Sequence, residues 1–377
     1  MSEGISQRLA ARTRNPEEWQ LPEVIHPYDE LSLERLLNDQ PKLHVFDTLE
    51  AIEQAMQTER LLAFGEAVVD RTRWVYIPWQ DELVRYGDQG VHRQLRTSRN
   101  RPLITREEQT TLYDARVAVF GLSVGSKIVE QLSETGIGGA FLLGDYDTLD
   151  ITNTNRLRAD VRQVGESKVS IAAKKLSIVD PYIEQVHLAN GYTAAADVAL
   201  DEFVPNIIIE EVDDIATKAM IRACAASRGI PVVMVGDLGE KTVADVERYD
   251  YGDAKFFNGK LSKKFVQELI EGRTLTLNEK QQALIRLNGG LLHIPARVVA
   301  SAAAMKRGDI GGIPQLGVTA AGGAVVADTL VRDILLGRNV PSGSHTVNWR
   351  TALALESPST PKEAVGIYKE FWRTRKA

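Results

Sequence analysis

The residues best suited to chemistry lie between Phe120 and Asp214. Phe120-Gly121-Leu122-Ser123-Val124-Gly125-Ser126-Lys127 closes an apolar stretch and opens a helical pattern. Glycines let backbone approach a phosphate closely, and a helix beginning there offers free amides and a positive dipole end to an anion. The turn is not a G-x-G-x-x-G: one glycine is missing and it is a residue short, so by itself it is equally a structural strand-to-helix turn. Asp145 ends the next strand, where an acidic side chain can accept both hydroxyls of an adenosine ribose. An NAD-linked dehydrogenase would show the same two features. They locate a nucleotide without naming its chemistry.

The discriminating residues follow. Asp145-Tyr-Asp147-Thr-Leu-Asp-Ile-Thr-Asn153-Thr-Asn155-Arg156 precedes Val164-Gly165-Glu-Ser-Lys168, and Glu210-Glu211-Val-Asp213-Asp214 comes last. In that order they resemble the ThiF/MoeB/ubiquitin-activating superfamily of adenylating enzymes. Its pattern is a strand ending in D-x-D-x-V-x-x-x-N-x-x-R, then G-x-x-K, then a strand ending in D-x-x-D-N. The resemblance runs from about Arg99 to Asp250 and continues more weakly beyond. An ordered set of three motifs is far more specific than the glycine turn.

Carried over by position, the resemblance implies a site for ATP and Mg2+. Gly121, Ser123, Gly125, Asp145, Asp147, Asn153, Arg156 and Lys168 would bind the nucleotide. Among these Asp145 would hold the ribose, Asn153 and Arg156 would reach the triphosphate, and Lys168 would neutralise phosphate charge. Asp213 would bind the magnesium ion, an oxygen ligand suited to a hard cation. Arg101, in Arg99-Asn-Arg101-Pro, would reach across a homodimer interface to a partner's triphosphate. With Arg101, Arg156, Lys168 and Asp213 as the catalytic set, a carboxylate attacks the α-phosphorus in line and pyrophosphate leaves. Each residue also has an ordinary structural role open to it. Arg156 and Asp213 could pair, Asn153 could shape a turn, and Lys168 could be a solvated helix-start lysine.

The chain departs from the family pattern in ways that narrow the chemistry. Its glycine turn is GLSVGS rather than G-x-G-G-x-G, and D-x-x-D-N reads EEVDD. The one cysteine, Cys224, sits among alanines inside a helical segment, which suits a packing thiol. Paired C-x-x-C zinc ligands are impossible with one cysteine. Thioester relay is therefore not expected. The acyl group would pass directly to another nucleophile, or to one within the substrate.

These residues need a scaffold, and the surrounding pattern specifies one. Arg116–Phe120, Ala140–Asp145, Asn206–Glu210 and Ile230–Val235 read as short apolar strands. Ser126–Thr135, Val169–Ile178 and Ala216–Ala226 read as helices between or after them. That alternation implies an α/β fold: a Rossmann-like, doubly wound, mainly parallel sheet with helices on both faces. Ligands then sit at the carboxyl ends of the strands. Residues 1–95 form an N-terminal accessory region, with a strand at Leu43, Val45 and Phe46. A helix there carries Leu49, Ile52 and Met56, and Trp74–Trp79 is an aromatic core strand. The resemblance implies that residues 96–377 form a ThiF-like adenylation domain, divided into a nucleotide-binding core at 99–250 and a C-terminal extension at 251–377. In that extension Phe256–Asn288 reads as charged helix, Pro295–Met305 as helix, and Gly322–Leu336 as a helix burying Val325, Val326, Leu330 and Ile334.

Composition bounds the function. Hydrophobic residues at 44% and charged residues at 25% fit a globular chain with a sizeable core. No apolar run reaches the ~18–20 residues of a membrane span, and Met1–Trp19 lacks a secretory core, so a cytoplasmic enzyme is expected. The net charge of −6 argues against a large nucleic-acid footprint, although Arg93, Arg96, Arg99, Arg101 and Arg106 make a local basic patch. The expected partner is a peptide, a ubiquitin-like protein C-terminus or a small carboxylic acid, including peptide natural-product tailoring. The alternatives are a dehydratase acting on a tRNA-base carboxylate, and an inactive nucleotide-binding scaffold. Hydride transfer is weaker, because it leaves Arg156, Lys168 and Asp213 without a shared purpose.

Overall fold

Two sheets organise the computed structural model, which describes residues 19–61, 65–252, 254–356 and 359–374. The segment 1–18, read above for its lack of a secretory core, lies outside the described residues. Strands β1 (Glu23–Ile25), β2 (His44–Phe46), β3 (Thr72–Ile77) and β4 (Glu82–Gly87) form a small sheet in the order β1-β3-β4-β2. Trp74 and Tyr76 pack there with Ile25, Leu36 and Leu83, so the aromatic strand is core. Strand β2 is an edge strand, and Val45 and Phe46 on it are exposed. The helix Leu49–Glu59 turns Ile52 and Met56 inward against Val91.

The larger sheet contains β5 (Arg116–Phe120), β6 (Ala140–Gly144), β7 (Glu184–Leu188), β8 (Ile207–Glu210), β9 (Val232–Leu238), β10 (Lys241–Glu247) and β11 (Gly343–Asn348). Its order is β11-β10-β9-β8-β5-β6-β7, parallel from β9 to β7 and antiparallel at β9-β10 and β10-β11. The chain winds from β5 outward through β6 and β7, then returns to the other side of β5 with β8. The crevice beside β5 and β8 is thus the topological switch point, where doubly wound sheets bind ligands. Helices Val124–Thr135, Lys168–Val179 and Gly317–Leu335 cover one face. Helices Ala194–Phe203 and Ile215–Arg228 cover the other.

Several expectations need correction. Strand β7 (EQVHL) escaped the apolar pattern because it is a half-exposed edge strand. Strand β10 escaped it because Thr242, Asp245 and Glu247 are buried polar residues within it. The segment 256–288 is broken into a turn at Phe256–Gly259 and helices Lys263–Ile270 and Leu277–Leu287, with Gly272 at φ +93° in the break. The helix Gly317–Leu335 buries small residues, Gly322, Gly323, Ala324 and Ala327, together with Val331 and Ile334. Val326 and Leu330 are only partly buried, and Val325 is 51% exposed. Close approach explains the difference: a Cβ on Gly322 would fall 2.2 Å from the Trp349 ring. The helix lies too near for large side chains on that side.

The small sheet docks on the far end of the helix Lys168–Val179. Tyr86 Oη donates to Ile178 O at 3.1 Å, and Tyr182 Oη donates to Gly87 O at 2.7 Å. Arg93 and Arg96 both pair with the buried Asp180, at 3.6 and 3.4 Å. Arg101 pairs with Glu59. The basic patch is therefore largely neutralised within the chain, and Arg99 and Arg106 remain exposed.

Beneath the end of β8 lies a fully buried ion network. Arg222 donates to Glu210 at 2.6 Å and to Glu247 at 2.8 Å, and Lys218 donates to Glu210 at 2.9 Å. Tyr249 Oη and the Phe257 amide complete the donors to Glu247. Removing one member strands the others without compensation. Arg222→Ala is expected to lose about 3–5 kcal/mol, read as a lower urea midpoint in equilibrium unfolding.

Candidate active site

The glycine turn leaves β5 at the switch point. Gly121 has φ +87°, and a Cβ there would lie 2.5 Å from the carbonyl carbon and oxygen of Glu211. Its amide donates to Gly144 O at 2.8 Å, which ties the turn to the end of β6. Glycine is required by both conformation and space. Gly125 packs against Val119 and the Glu211 side chain. Ser123 occupies the N-cap of the helix Val124–Thr135 without a side-chain cap, so the first-turn amides are left to another acceptor.

Asp145 is 7% exposed and accepts from the Leu122 amide at 2.5 Å and the Asp147 amide at 2.7 Å. Burial raises its pKa, opposed by those two amides and by Lys168. Two amides leave lone pairs on both carboxylate oxygens. Asp147 is half exposed and pairs with Lys168 Nζ at 2.8 Å. Lys168 starts the helix Lys168–Val179, yet its side chain is buried, so it is not a solvated lysine.

Asn153 closes a turn at Ile151–Asn153, its side chain accepting from the Asp150 amide at 3.2 Å. A local structural role is thus present at Asn153. Asn155 Nδ2 donates to Gln315 O at 2.9 Å, and a Cβ on Gly317 would meet Asn155 O at 2.5 Å, so the chain before Gly317 covers this turn. Arg156 Nη1 donates to Thr152 O and Asn155 Oδ1 at 3.2 and 3.0 Å, while its buried Nε has no acceptor. Burial lowers the Arg156 pKa, opposed by the charges of Asp237 and Asp213. Arg156 and Asp213 do not form the simple ion pair considered above. Asp213 is exposed and makes no hydrogen bond or ion pair among the described residues. Its neighbour Asp214 caps the helix Ile215–Arg228 through the Thr217 amide at 2.9 Å.

The carboxyl edge therefore gathers the glycine turn, Asp145, Asp147, Lys168, Arg156 and Asp213. Tyr146, 74% exposed, feels Asp147, Asp145, Asp213 and Asp214, which links the β6 and β8 sides of the crevice. Arg101 is not gathered. It follows Asn100, whose side chain donates to Thr135 O at the opposite end of the helix Val124–Thr135 from the glycine turn. Cys224 is buried, within 2.9 Å of Arg228 Nη1, and burial pushes its thiol up to about 11. It is a packing thiol.

Two acidic residues were missed. Glu211 accepts from the Val235 amide at 2.6 Å, and burial pushes its carboxyl well above the usual range, helped by Glu210 and Asp213. Asp237 lies near the end of β9, with both carboxylate oxygens buried and unpartnered. Burial raises its pKa to about 7, opposed by Arg156. The signal that exposed Asp145, an acid following an apolar strand, was present at Asp237 too.

A family model described as the ThiF family matches residues 96–333. The chain belongs to the ThiF family. An uncharacterized protein, MT1398, of Mycobacterium tuberculosis (strain CDC 1551 / Oshkosh) is 33% identical over 345 residues, covering 90% of this chain and 46% of that protein. The chain thus spans about half the length of that relative. The tRNA threonylcarbamoyladenosine dehydratase of Bacillus subtilis (strain 168) is 30% identical over 185 residues, covering 46% of this ThiF chain and 72% of the enzyme. Among solved structures, the E. coli tRNA N6-threonylcarbamoyladenosine dehydratase in complex with AMP superposes with a TM-score of 0.47 and 20% identity. That match covers 65% of this chain and 95% of that one.

Two measurements check this geometry. Gly121→Ala is expected to cost about 2 kcal/mol or more in urea unfolding, because the new methyl meets Glu211 backbone at a positive φ. The Asp237 carboxyl has a higher pKa folded than unfolded. Its burial costs little below about pH 3, where both states are protonated; the cost grows as pH rises through the unfolded value and is fully present above pH 7, where the folded carboxylate ionises without a donor. Asp237→Asn should raise the melting temperature by about 2 °C at pH 8 and leave it nearly unchanged at about pH 3.

Proposed function

We propose that the protein adenylates a carboxylate, using ATP and magnesium, and releases pyrophosphate. One observation carries the reading: cationic, acidic and amide groups suited to a nucleotide's phosphate chain share one edge of the sheet. The free amides of the helix Val124–Thr135 and the side chains of Lys168 and Arg156 meet the phosphates. Asp145 accepts the ribose hydroxyls through its remaining lone pairs. Asn153 and Asp147 hold the turn and the lysine that face the triphosphate.

The residues fit magnesium as a shared ion. Asp213 offers an exposed carboxylate without a protein partner, and magnesium is commonly bound by one or two carboxylates plus substrate phosphates. Among the described residues no group of three or more His, Cys, Asp or Glu could form an all-protein cage. When bound, the ion supplies charge neutralisation on the departing pyrophosphate. The chain's own part is positional: it holds the α-phosphate in line with the incoming carboxylate and excludes water beneath the turn.

The substrate class proposed is a peptide, a ubiquitin-like C-terminus or a small acid, with the acyl group passed on without an enzyme thioester. The raised, buried thiol of Cys224 supports that absence of relay. A second reading, dehydration through adenylation of a tRNA-base carboxylate, is favoured by the similarity to the Bacillus enzyme. It calls for tRNA binding that weakens steeply with salt, which the paired arginines and the net charge oppose. Homodimerisation belongs to either reading, because Arg101 could reach a triphosphate only across an interface.

The test is ATP–pyrophosphate exchange across a panel of peptides with free C-termini and small carboxylic acids. Asp213→Ala is expected to lower AMP formation at least 100-fold with an unchanged circular dichroism spectrum. AMP formation that survives the substitution removes Asp213 from the metal site. A wild-type chain that binds ATP yet exchanges with no member of the panel favours the scaffold alternative.

A further inference from the structure

One side-chain amide joins the nucleotide edge to the C-terminal part of the chain. Asn155 Oδ1 accepts from Arg156 Nη1 at 3.0 Å, and Asn155 Nδ2 donates to Gln315 O at 2.9 Å. The partners fix the orientation of the amide. A guanidinium only donates and a carbonyl only accepts, so the oxygen must face Arg156 and the nitrogen Gln315. Arg156 Nη1 also donates to Thr152 O at 3.2 Å, which engages both of its hydrogens within the loop. Nη2 has two further hydrogens and no acceptor among the described residues, so it is the nitrogen turned to a phosphate.

The other end of the amide holds a segment with few ties of its own. Residues 308–316 join the helix Ala296–Arg307 to the helix Gly317–Leu335. Ile310, Ile313 and Leu316 on it are exposed. Gly311 and Gly312 have neither a left-handed φ nor any atom within 4 Å of where a Cβ would stand. Turn geometry and close approach therefore do not call for glycine at either position. Backbone freedom is the property that remains. Only the foot of the segment is fixed. A Cβ on Gly317 would lie 2.5 Å from Asn155 O, and Thr319 Oγ1 donates to Gly239 O.

Resting on the adenylation reading above, we propose that Asn155 is a positioning residue for the triphosphate, one that aims Arg156 and ties that aim to residues 309–316. Asn155 needs no contact with the nucleotide. Its oxygen holds Nη1, and the planar guanidinium then has one arrangement in which Nη2 faces the phosphates. Without that acceptor the arginine samples other rotamers, and phosphate binding must order it first. AMP, held at Asp145 and the glycine turn, is spared this penalty. Coupling of this kind is reciprocal. A tie that favours the triphosphate is itself favoured by it, so ATP holds 309–316 more firmly against Asn155.

Calorimetry of the full chain with magnesium–ATP and, separately, with AMP tests the aim of Arg156. Asn155→Ala is expected to weaken ATP by about 10-fold and AMP by less than about 2-fold. Asn155→Gln, which restores an amide on a longer arm, is expected to recover part of the difference. Gly317→Ala disturbs the tie from the other side, its methyl pressing on Asn155 O, and should weaken ATP with the same selectivity. Millisecond hydrogen exchange tests the tie itself. ATP is expected to slow exchange across 309–317 by about 3-fold in wild type and to leave it unchanged in Asn155→Ala. Wild-type ATP affinity in Asn155→Ala or Gly317→Ala, an equal loss of AMP affinity, or exchange in wild type that ignores bound ATP each overturns the proposal. A wild-type chain that binds no ATP at all overturns the adenylation reading, and this proposal falls with it.

Discussion

The geometry of the edge depends on how β8 ends. Glu210 is the last residue of that strand, and its two oxygens are shared between Lys218, Arg222 and the Val212 amide. That last bond fixes the backbone leading to Asp213. Arg222 carries the same restraint to Glu247 on β10, and its guanidinium stacks 4.2 Å from the Phe257 ring centroid. A hydrophobic cluster of the same volume could match its stability. It could not aim a loop, because apolar contacts lack direction. The network trades stabilisation for a defined path of residues Glu211–Asp213, and the glycine turn leans against that path at Gly121.

A consequence is the crowding of carboxyl groups at one edge. Asp145, Glu211 and Asp237 all have raised pKa values, and in each the first cause is burial. The compensation differs. Amide hydrogen bonds and a lysine serve Asp145, a single amide and Lys218 serve Glu211, and only the field of Arg156 serves Asp237. This gradient separates a carboxylate locked into architecture from one held in reserve. Arg156 in turn bonds only Thr152 and Asn155 among the described residues, while Asp213 and Asp237 act on it through charge without a hydrogen bond.

Much of this was legible in the residues. The strands β5, β6, β8 and β9 are apolar runs buried on both faces, so their pattern announced the parallel sheet and, with it, the edge that carries the site. The motif residues could be placed because they follow those strands directly. Polar or half-exposed strands were not legible: β7 has no apolar run, and β10 hides charge that only its partners from Arg222 and Lys260 make tolerable. The helix Gly317–Leu335 was misread on its buried side because tight packing selected glycine and alanine, which carry little hydrophobic signal. Asp237 was legible in kind and overlooked, since nothing in the order of residues reveals that its oxygens lack donors.

The route of the chain through the large sheet also bears on how the molecule is made. Strand β10 is finished at Glu247, yet its outer neighbour β11 begins only at Gly343, and the helix Gly317–Leu335 that covers one face is synthesised in the interval. On the ribosome the earlier strands emerge with that face only partly covered, by the helices Val124–Thr135 and Lys168–Val179, and one border unpaired. Long-range pairing of this kind slows folding and exposes apolar surface meanwhile. A nascent chain halted before Leu335 is thus a sticky, unfinished object, and a chaperone has its clearest opportunity in that window.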